Sequence, residues 1–373
     1  MESLFDDIIV VNNKINVKEL KIINPIFICV ISHTETSRIP GLTIAGANLD
    51  LIQQTPSADA EFLYYGKCIC FNGIPATPDG KPTPALITRT SLNSAGIPFF
   101  VVDAGVKIKP SIPFYSFDLN CGNNIISDLA MILEDVKKAY QYGKILGEQL
   151  TKNNDLVILG ESIPSGTTTA LGVLLSLGID ATNKTSSSMP NNPHQLKNRI
   201  IQTSMERKNI KFGEFKDEPL KAISYLGDPM IPSVAGIATG VIENGGRVML
   251  AGGTQMCAVL AFLKCLKKDT GRIMIGTTKY IVDDSQAGFE ELVYSIDNEI
   301  GILAVDLHME ESSKQGLKAF AEGFVKEGVG AGGVSIASII KTRGQINGLK
   351  LLKNIEKEYQ LKIGKFLSVG MKI

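Results

Sequence analysis

The chain has 373 residues, 44% of them hydrophobic, so it is long enough to bury one large core or two unequal ones. Lysine plus arginine equals aspartate plus glutamate at 38 each, which gives no net basic field for binding nucleic acid. No apolar stretch reaches the roughly 20 residues that span a bilayer, and the first ten residues are acidic, so we expect neither a membrane segment nor a signal peptide.

The cysteines and histidines do not form a metal-binding pattern. Of six cysteines, only Cys68 and Cys70 lie close together, and no second pair follows at zinc-finger spacing. The three histidines, His33, His194 and His308, have no partners at ligand spacing. We therefore expect reduced thiols, a cytoplasmic location, no metal and no cofactor.

Residues 1–95 differ in pattern from the rest of the chain. The apolar run Ile26–Ile31 predicts a buried strand. Residues 32–95 contain many turn signals, among them Pro40-Gly41, Pro78 and Asp79-Gly80, and have only weak periodicity. We predict that residues 1–95 contribute one strand together with a lid or small subdomain.

Residues 96–373 alternate between apolar runs and segments of helical spacing. Strands are expected at Pro98–Val102, Leu156–Leu159, Val248–Ala251, Ile273–Ile275 and Gly301–Val305. Helices are expected at Asp128–Thr151, Gln195–Arg207, Val234–Glu243, Thr254–Lys267 and Ser313–Lys326. Apolar runs in which polar residues do not alternate with apolar ones are typical of strands buried on both faces. The pattern predicts an α/β doubly wound fold, a mostly parallel sheet flanked by helices, with a smaller N-terminal or helical subdomain. The polar stretch Thr182–Pro193 predicts a functional or mobile loop.

Polar or glycine-rich turns follow several of the predicted strands. In open α/β sheets, ligands bind beyond the carboxyl ends of the strands. Asp103 and Gly105 follow one strand, Glu161 follows another, and Gly252 and Gly253 follow a third. We predict that these residues border one polar cleft.

The stretch GESIPSGTTT, residues 160–169, has the features of a phosphate site. Gly166, Thr167 and Thr168 precede or open a predicted helix, whose free N–H groups and dipole attract anions. An ordinary capped helix is the alternative. A carboxylate at a buried strand end, here Glu161, must be hydrogen-bonded, paired or used in chemistry.

A second acid lies beside a glycine-rich turn near the C-terminus. Glu327 is followed by Gly328, Gly330, Gly332 and Gly333, and a helix of small residues comes next. Glycines allow the backbone to approach a ligand closely. The alternative is a flexible connection between two helices.

Together these motifs resemble the nicotinate-nucleotide:dimethylbenzimidazole phosphoribosyltransferases of cobamide (vitamin B12) assembly, and most closely their archaeal branch. The shared stretches lie between Ala95 and Ser338. They are the strand end VVDAGV at 101–106, Ala130-Met131, Gly160-Glu161 with Thr167-Thr168, Lys197 in a basic helix, and EGVGA at 327–331.

The resemblance implies a phosphoribosyl transfer from nicotinate mononucleotide to an imidazole-type nitrogen. It implies that Glu327 takes the proton of the acceptor and that Glu161 stabilises the charge on the ribose or aligns Glu327. Gly166, Thr167, Thr168 and Lys197 would bind the 5′-phosphate. Small-molecule substrates, no nucleic acid and a possible homodimer follow from the same resemblance.

The acceptor base stays open between dimethylbenzimidazole, another benzimidazole and a purine. The family's N-terminal K-P-x-G-S-L-G segment has no match in residues 1–95, and its L-D-G-F strand end is Leu250-Ala251-Gly252-Gly253 here. Between the Glu and the Thr pair, Ile163-Pro164-Ser165 also replaces the extra glycines of the family's bacterial members. This altered phosphate turn and the missing N-terminal segment leave a nucleotide-binding regulator without catalysis as an alternative. A dinucleotide-dependent oxidoreductase is a further alternative, although G-x-G-x-x-G does not follow the first strand.

Overall fold

A computed structural model describes residues 4–46, 48–71, 73, 75–77 and 80–364. The turn signals at Pro78 and Asp79 lie outside these residues. The strands are β1 (Ile8–Val10), β2 (Pro25–Ile31), β3 (Phe99–Asp103), β4 (Tyr115–Ser116), β5 (Leu156–Ser162), β6 (Val248–Ala251), β7 (Ile273–Thr278) and β8 (Gly301–Val305).

Thirteen α-helices are found within the described residues. In the first half of the chain they are α1 (Leu49–Tyr65), α2 (Ala85–Ala95), α3 (Leu133–Thr151) and α4 (Gly166–Ser176). Next come α5 (His194–Arg207), α6 (Pro219–Leu226), α7 (Met230–Glu243), α8 (Thr254–Cys265) and α9 (Lys279–Val282). The last are α10 (Phe289–Ile296), α11 (Gln315–Ala321), α12 (Ala331–Lys341) and α13 (Gly348–Tyr359). None of these helices has the length and apolar character that crossing a bilayer requires.

The eight strands form one sheet in the order β1-β8-β7-β6-β5-β2-β3-β4. Every neighbouring pair is parallel except β1 and β8, which are antiparallel. The chain runs from β2 outward to β3 and β4, and then returns to the other side of β2 as β5. The switch point of this doubly wound sheet, where ligands usually bind, therefore lies between β2 and β5.

Helices cover both faces of the sheet, because the strands are apolar on both sides. On one face, Ile26 and Ile28 of β2 pack in a core with residues of α3 to α8 and α10. On the other face, Phe27 and Cys29 pack with residues of α1, α2 and α11 to α13. Successive strand residues point to opposite faces, so both layers draw on the same strands.

The predicted mostly parallel sheet flanked by helices is confirmed, and so are all six predicted strands. Two short edge strands, β1 and β4, are additional to the prediction. The predicted helix Ser313–Lys326 is shorter, since α11 ends at Ala321 and Gly323 takes a positive φ of 86°.

Residues 32–95 contain more helical structure than their turn signals suggested. They form α1 and α2, which pack against each other and place α1 over β2 and β5. The prediction missed α1 because Pro56 lies inside it and because its acids Asp59 and Glu61 are buried. β2 lies in the middle of the same sheet as β3 to β8, while the domain division at residue 95 stays a prediction.

Candidate active site

A cavity of about 580 Å³ lies at the carboxyl ends of the central strands, next to the switch point. Its walls come from the end of β5 and the segment after it, the start of α8, the turn before α12, α1, and residues 42–46, 75–77, 81–84 and 186–188. Both predicted acids, Glu161 and Glu327, line it. The loop Thr182–Pro193 therefore contributes to the site, through Ser186, Ser187 and Ser188.

Glu161 lies near the end of β5 and is only 5% exposed. Its Oε2 accepts one hydrogen bond, from the Ile163 N–H at 3.0 Å. Burial, helped by the nearby carboxylates of Asp228, Glu327 and Asp59, raises the pKa of this carboxyl to about 8, although the Ile163 N–H favours the ionised form. Glu161 is therefore mostly protonated in the free protein at neutral pH.

Glu327 is held in one position by backbone N–H groups. Its Oε1 accepts from Gly328 and Gly332 at 3.1 Å each, and its Oε2 accepts from the Thr278 N–H at 2.9 Å. Burial raises the pKa of Glu327 to about 7, while these N–H donors favour the ionised form and limit the rise. At neutral pH this carboxyl is close to half ionised.

The turn that carries Glu327 packs tightly against two strand ends. A Cβ at Gly332 would lie 2.1 Å from the carbonyl carbon of Thr277, so only glycine lets the start of α12 approach β7 this closely. The Val329 N–H donates to the carbonyl oxygen of Glu161 at 2.9 Å. This bond joins the two acid-bearing segments directly.

Two helix N-termini meet at another wall of the cavity. Gly166 and Thr167 open α4, and Thr254 and Gln255 open α8, and all four line the cavity. A Cβ at Gly166 would lie 1.9 Å from the Gln255 side-chain nitrogen, which shows how closely the two helix starts approach. Free N–H groups and helix dipoles at this wall attract an anion.

Buried hydroxyl groups surround the start of α4. Ser165 has a left-handed backbone with φ of 63°. Its Oγ, and the Oγ1 atoms of Thr168 and Thr254, are buried without a hydrogen-bond partner among the described residues. Such hydroxyls are available to a bound ligand. Thr168 itself is fully buried behind Thr167 and is not among the lining residues.

Lys197 does not reach the cavity. Its side chain is fully buried, and its Nζ donates to the carbonyl oxygen of Ser186 at 2.6 Å. Burial lowers its pKa to about 7. Lys197 thus supports the loop that lines the cavity. The basic side chain that does line it, among the described residues, is Lys81, whose Nζ lies 4.4 Å from the centre of the Phe324 ring.

The glycines and the aspartate expected in the cleft divide into two groups. Gly253 and Gly328 line the cavity. The lining residues do not include Gly252, Gly330, Asp103 or Gly105. The Asp103 carboxylate is occupied within its own loop, where it accepts from the N–H groups of Gly105 and Val106 at 2.9 and 3.0 Å and pairs with Lys109.

The sequence prediction missed a third carboxylate in the cavity. Asp59, on α1, is 3% exposed and lines the cavity with the two glutamates. An acid among small and apolar residues, as in the stretch Ala58–Leu63, was the available signal. Weak periodicity in residues 32–95 concealed it.

Away from the cavity, one group of metal-type donors is present in the described part of the chain. Oxygen or nitrogen atoms of Asp306, His308 and Glu310 lie within 4.8 Å of one another. The Lys279 ammonium already bonds Asp306 at 2.7 Å and Glu310 at 2.9 Å. The Lys279 ammonium therefore balances the negative charge of these two carboxylates, as a metal ion would.

Comparisons with known proteins identify the family of this chain. A phosphoribosyltransferase family model matches residues 91–279. A UPF0284 protein of Archaeoglobus fulgidus is 44% identical over 334 residues, which cover 90% of this chain and 93% of the relative. A UPF0284 protein of Sulfolobus acidocaldarius is 44% identical over 318 residues, covering 84% and 89%.

The fold also matches a solved enzyme structure. The crystal structure of a nicotinate-nucleotide-dimethylbenzimidazole phosphoribosyltransferase from Thermus thermophilus superimposes with a TM-score of 0.59 at 13% identity, over 89% of this chain and 84% of that one. This likeness concerns the fold. Taken with the family match and the relatives, the chain belongs to the phosphoribosyltransferase family, in a group with the archaeal UPF0284 proteins.

Proposed function

We propose that this protein transfers the 5-phosphoribosyl group of nicotinate mononucleotide to a ring nitrogen of a benzimidazole-type or purine base. The product is an α-ribazole-type nucleotide, the lower ligand of a cobamide. The observation that carries the proposal is the pair of carboxylates, Glu161 and Glu327, which line one cavity and are joined by the Val329–Glu161 backbone bond.

The walls of the cavity suggest where the phosphate and the ribose of the donor bind. The 5′-phosphate would lie on the N-termini of α4 and α8, near Gly166, Thr167 and Gln255, where N–H groups favour an anion. The ribose would then lie between this wall and the two glutamates, because Glu161 is five residues before Gly166.

In the proposed step, the acceptor nitrogen attacks C1′ of the ribose from the face opposite the pyridinium. The new C1′–N bond forms as the C1′–N bond to nicotinate breaks. The electron pair of the broken bond stays on the nicotinate nitrogen and neutralises the ring. The proton of the acceptor nitrogen passes to Glu327. Holding both reactants in one cavity removes much of the entropic barrier.

The two glutamates have different roles because their environments differ. Glu327, with its pKa near 7, is the carboxylate that is partly ionised at neutral pH and ready to accept a proton. Glu161, with its pKa near 8, loses its proton when the cationic pyridinium binds beside it, and then stabilises the positive charge that develops on the ribose.

The proposed setting is the cytoplasm, and the proposed assembly is a homodimer. All six cysteines are unpaired thiols, as is usual in a reducing compartment. The family relationship motivates the dimer, which sedimentation or light scattering would test.

Incubation with nicotinate mononucleotide and a panel of bases tests the proposed reaction. Mass spectrometry should detect free nicotinate and one nucleotide adduct in equal amounts, and NMR should assign the α linkage. Binding of the donor without any adduct would favour a nucleotide-binding regulator instead.

A further inference from the structure

The third carboxylate of the cavity, Asp59, has no assigned role in the reaction. Its Oδ1 accepts from the Thr83 hydroxyl at 2.6 Å, and its Oδ2 accepts from the Ser162 hydroxyl at 2.7 Å. All three residues line the cavity. We call this group the Asp59 cluster.

No cation neutralises the Asp59 carboxylate within the described part of the chain, where its bonded partners are the two hydroxyls. Burial raises its pKa to about 6, so it is mostly ionised at neutral pH. An ionised carboxylate at a buried position is costly unless further donors reach it. A ligand that brings a donor would complete the site.

The hydrogen bonds within the Asp59 cluster fix which of its groups donate and which accept. An ionised carboxylate only accepts, so Thr83 and Ser162 must both donate their single O–H to Asp59. Their oxygens then present only lone pairs. The whole cluster therefore offers acceptors to the cavity, and the matching ligand group is an N–H or O–H donor.

Neighbouring contacts place the cluster on the side of the attacking base. A Cβ at Gly328 would lie 3.1 Å from the Pro84 ring, so the Glu327 turn packs against the segment that carries Thr83. Glu327 must face the acceptor nitrogen to take its proton. Apolar lining residues from the same region, including Phe71, Ala76 and Pro82, provide surfaces for a flat ring.

We propose that the Asp59 cluster selects acceptor bases that carry an exocyclic amino group, so that the preferred acceptor is an aminopurine such as adenine rather than dimethylbenzimidazole. This inference rests on the proposed phosphoribosyl transfer. The methyl groups of dimethylbenzimidazole cannot donate, and that base would leave the buried carboxylate without its third donor. The amino group of adenine supplies it.

A matched pair of bases isolates the effect, because purine differs from adenine only in lacking the amino group. The wild-type protein should use adenine with a kcat/KM about 10- to 100-fold above that for purine, the usual range for one hydrogen bond to a charged group. In Asp59→Asn, which can turn a donor toward the ligand, this ratio should fall to about 1.

Asp228→Asn is the control variant. Asp228 is also fully buried and bonded to a threonine hydroxyl, that of Thr169, but it is not among the lining residues. It should keep the wild-type ratio of adenine to purine. Circular dichroism and thermal unfolding of both variants check that each one folds.

Two results would overturn the inference: a wild-type protein that uses purine or dimethylbenzimidazole as well as adenine, or an Asp59→Asn variant that keeps the wild-type ratio. A variant that raises the KM for nicotinate mononucleotide and leaves the base ratio unchanged would assign the cluster to the ribose hydroxyls of the donor, which also contradicts the inference.

The failure of the proposed reaction would be recognised separately. If no base yields a nucleotide, calorimetric titration of adenine and purine into wild-type and Asp59→Asn protein still decides the matter. The inference requires tighter binding of adenine in the wild type and loss of that difference in the variant. Equal binding of the two bases to the wild type would refute it.

Discussion

At the scale of single residues, the proposed chemistry depends on two carboxyl groups with different pKa values in one cavity. Backbone N–H groups hold Glu327 and favour its ionised form, whereas Glu161 accepts a single N–H bond and is buried more deeply. Pairs of acids whose environments separate their pKa values commonly divide acid, base and electrostatic roles between them.

Glu327→Gln removes the proposed base and keeps the shape of the side chain. We expect kcat to fall by about 100-fold or more, while the dissociation constant for nicotinate mononucleotide changes little. In the wild type, kcat/KM should rise with pH through about 7 as Glu327 of the free protein ionises, and this limb should vanish in the variant. Near-normal turnover would remove Glu327 as the base.

Donor binding should release protons. A pyridinium placed beside Glu161 and Glu327 lowers the pKa of both carboxyls, which are raised to about 8 and 7 in the free protein. At pH 7.5 we expect release of up to about one proton per site, measured by calorimetry in buffers of different ionisation enthalpy.

Ribose 5-phosphate, which has the phosphate but no pyridinium, is the control ligand for this measurement. It should release clearly fewer protons than nicotinate mononucleotide. Equal release by the two ligands would show that the cationic ring does not lie near the glutamates.

At the scale of elements, the start of α4 is predicted to bind the phosphate. Gly166→Ala would place a methyl group 1.9 Å from the Gln255 side-chain nitrogen and 2.8 Å from the Ile163 side chain, so both side chains must shift at the wall where the phosphate is expected. We expect the KM for the donor to rise by about tenfold or more, since charge-assisted hydrogen bonds to the phosphate are lost.

Gly172→Ala, on the same helix but away from the cavity, is the matched control. Its Cβ would lie 3.0 Å from the Leu226 Cβ, so it also crowds its surroundings. It should lower the melting temperature and leave the KM for the donor unchanged. A similar KM increase in both variants would indicate a general loss of packing and not a phosphate site.

The elements that sequence reasoning identified share a physical reason. The inner strands of a parallel sheet are buried on both faces, and their apolar runs, such as Leu156–Leu159, stand out from the sequence. Helices α1 and α2 were missed because turn signals and Pro56 outweighed their weak apolar spacing. The third acid, Asp59, was missed with them.

The sequence predicts site residues well where a short motif fixes the position of the backbone. It predicts them less well where the direction of a long side chain decides whether the residue reaches the cavity. Glu161, Gly166 and Thr167 lie at a strand end or a helix start, and Glu327 and Gly328 lie in the glycine-rich turn before α12, so all five meet in the cavity. The matching position of Lys197 gave no information on the direction of its side chain, which points to the carbonyl of Ser186.

At the scale of the whole molecule, the cavity has a cost in stability that depends on pH. The folded state keeps a proton on Glu161 up to pH about 8, whereas the unfolded chain loses it near the ordinary value of 4.5. Between these pH values the folded state therefore binds more protons than the unfolded state. The contribution of Glu161 to the free energy of unfolding then falls as the pH rises.

Glu161→Gln should abolish that contribution. Relative to the variant, the wild-type free energy of unfolding should decrease by up to about 1.4 kcal/mol for each pH unit between 5 and 8. Urea denaturation of both proteins at several pH values measures the difference. Glu299→Gln, at an exposed position, is the control, and a wild-type curve parallel to that of Glu161→Gln would contradict the expectation.

The most direct test of the central claim is a crystal structure of Glu327→Gln protein with bound nicotinate mononucleotide. We predict that C1′ of the ribose lies between the side chains of residues 161 and 327, and that the phosphate accepts N–H bonds at the start of α4. A ribose bound elsewhere, or a phosphate away from Gly166 and Thr167, would contradict it.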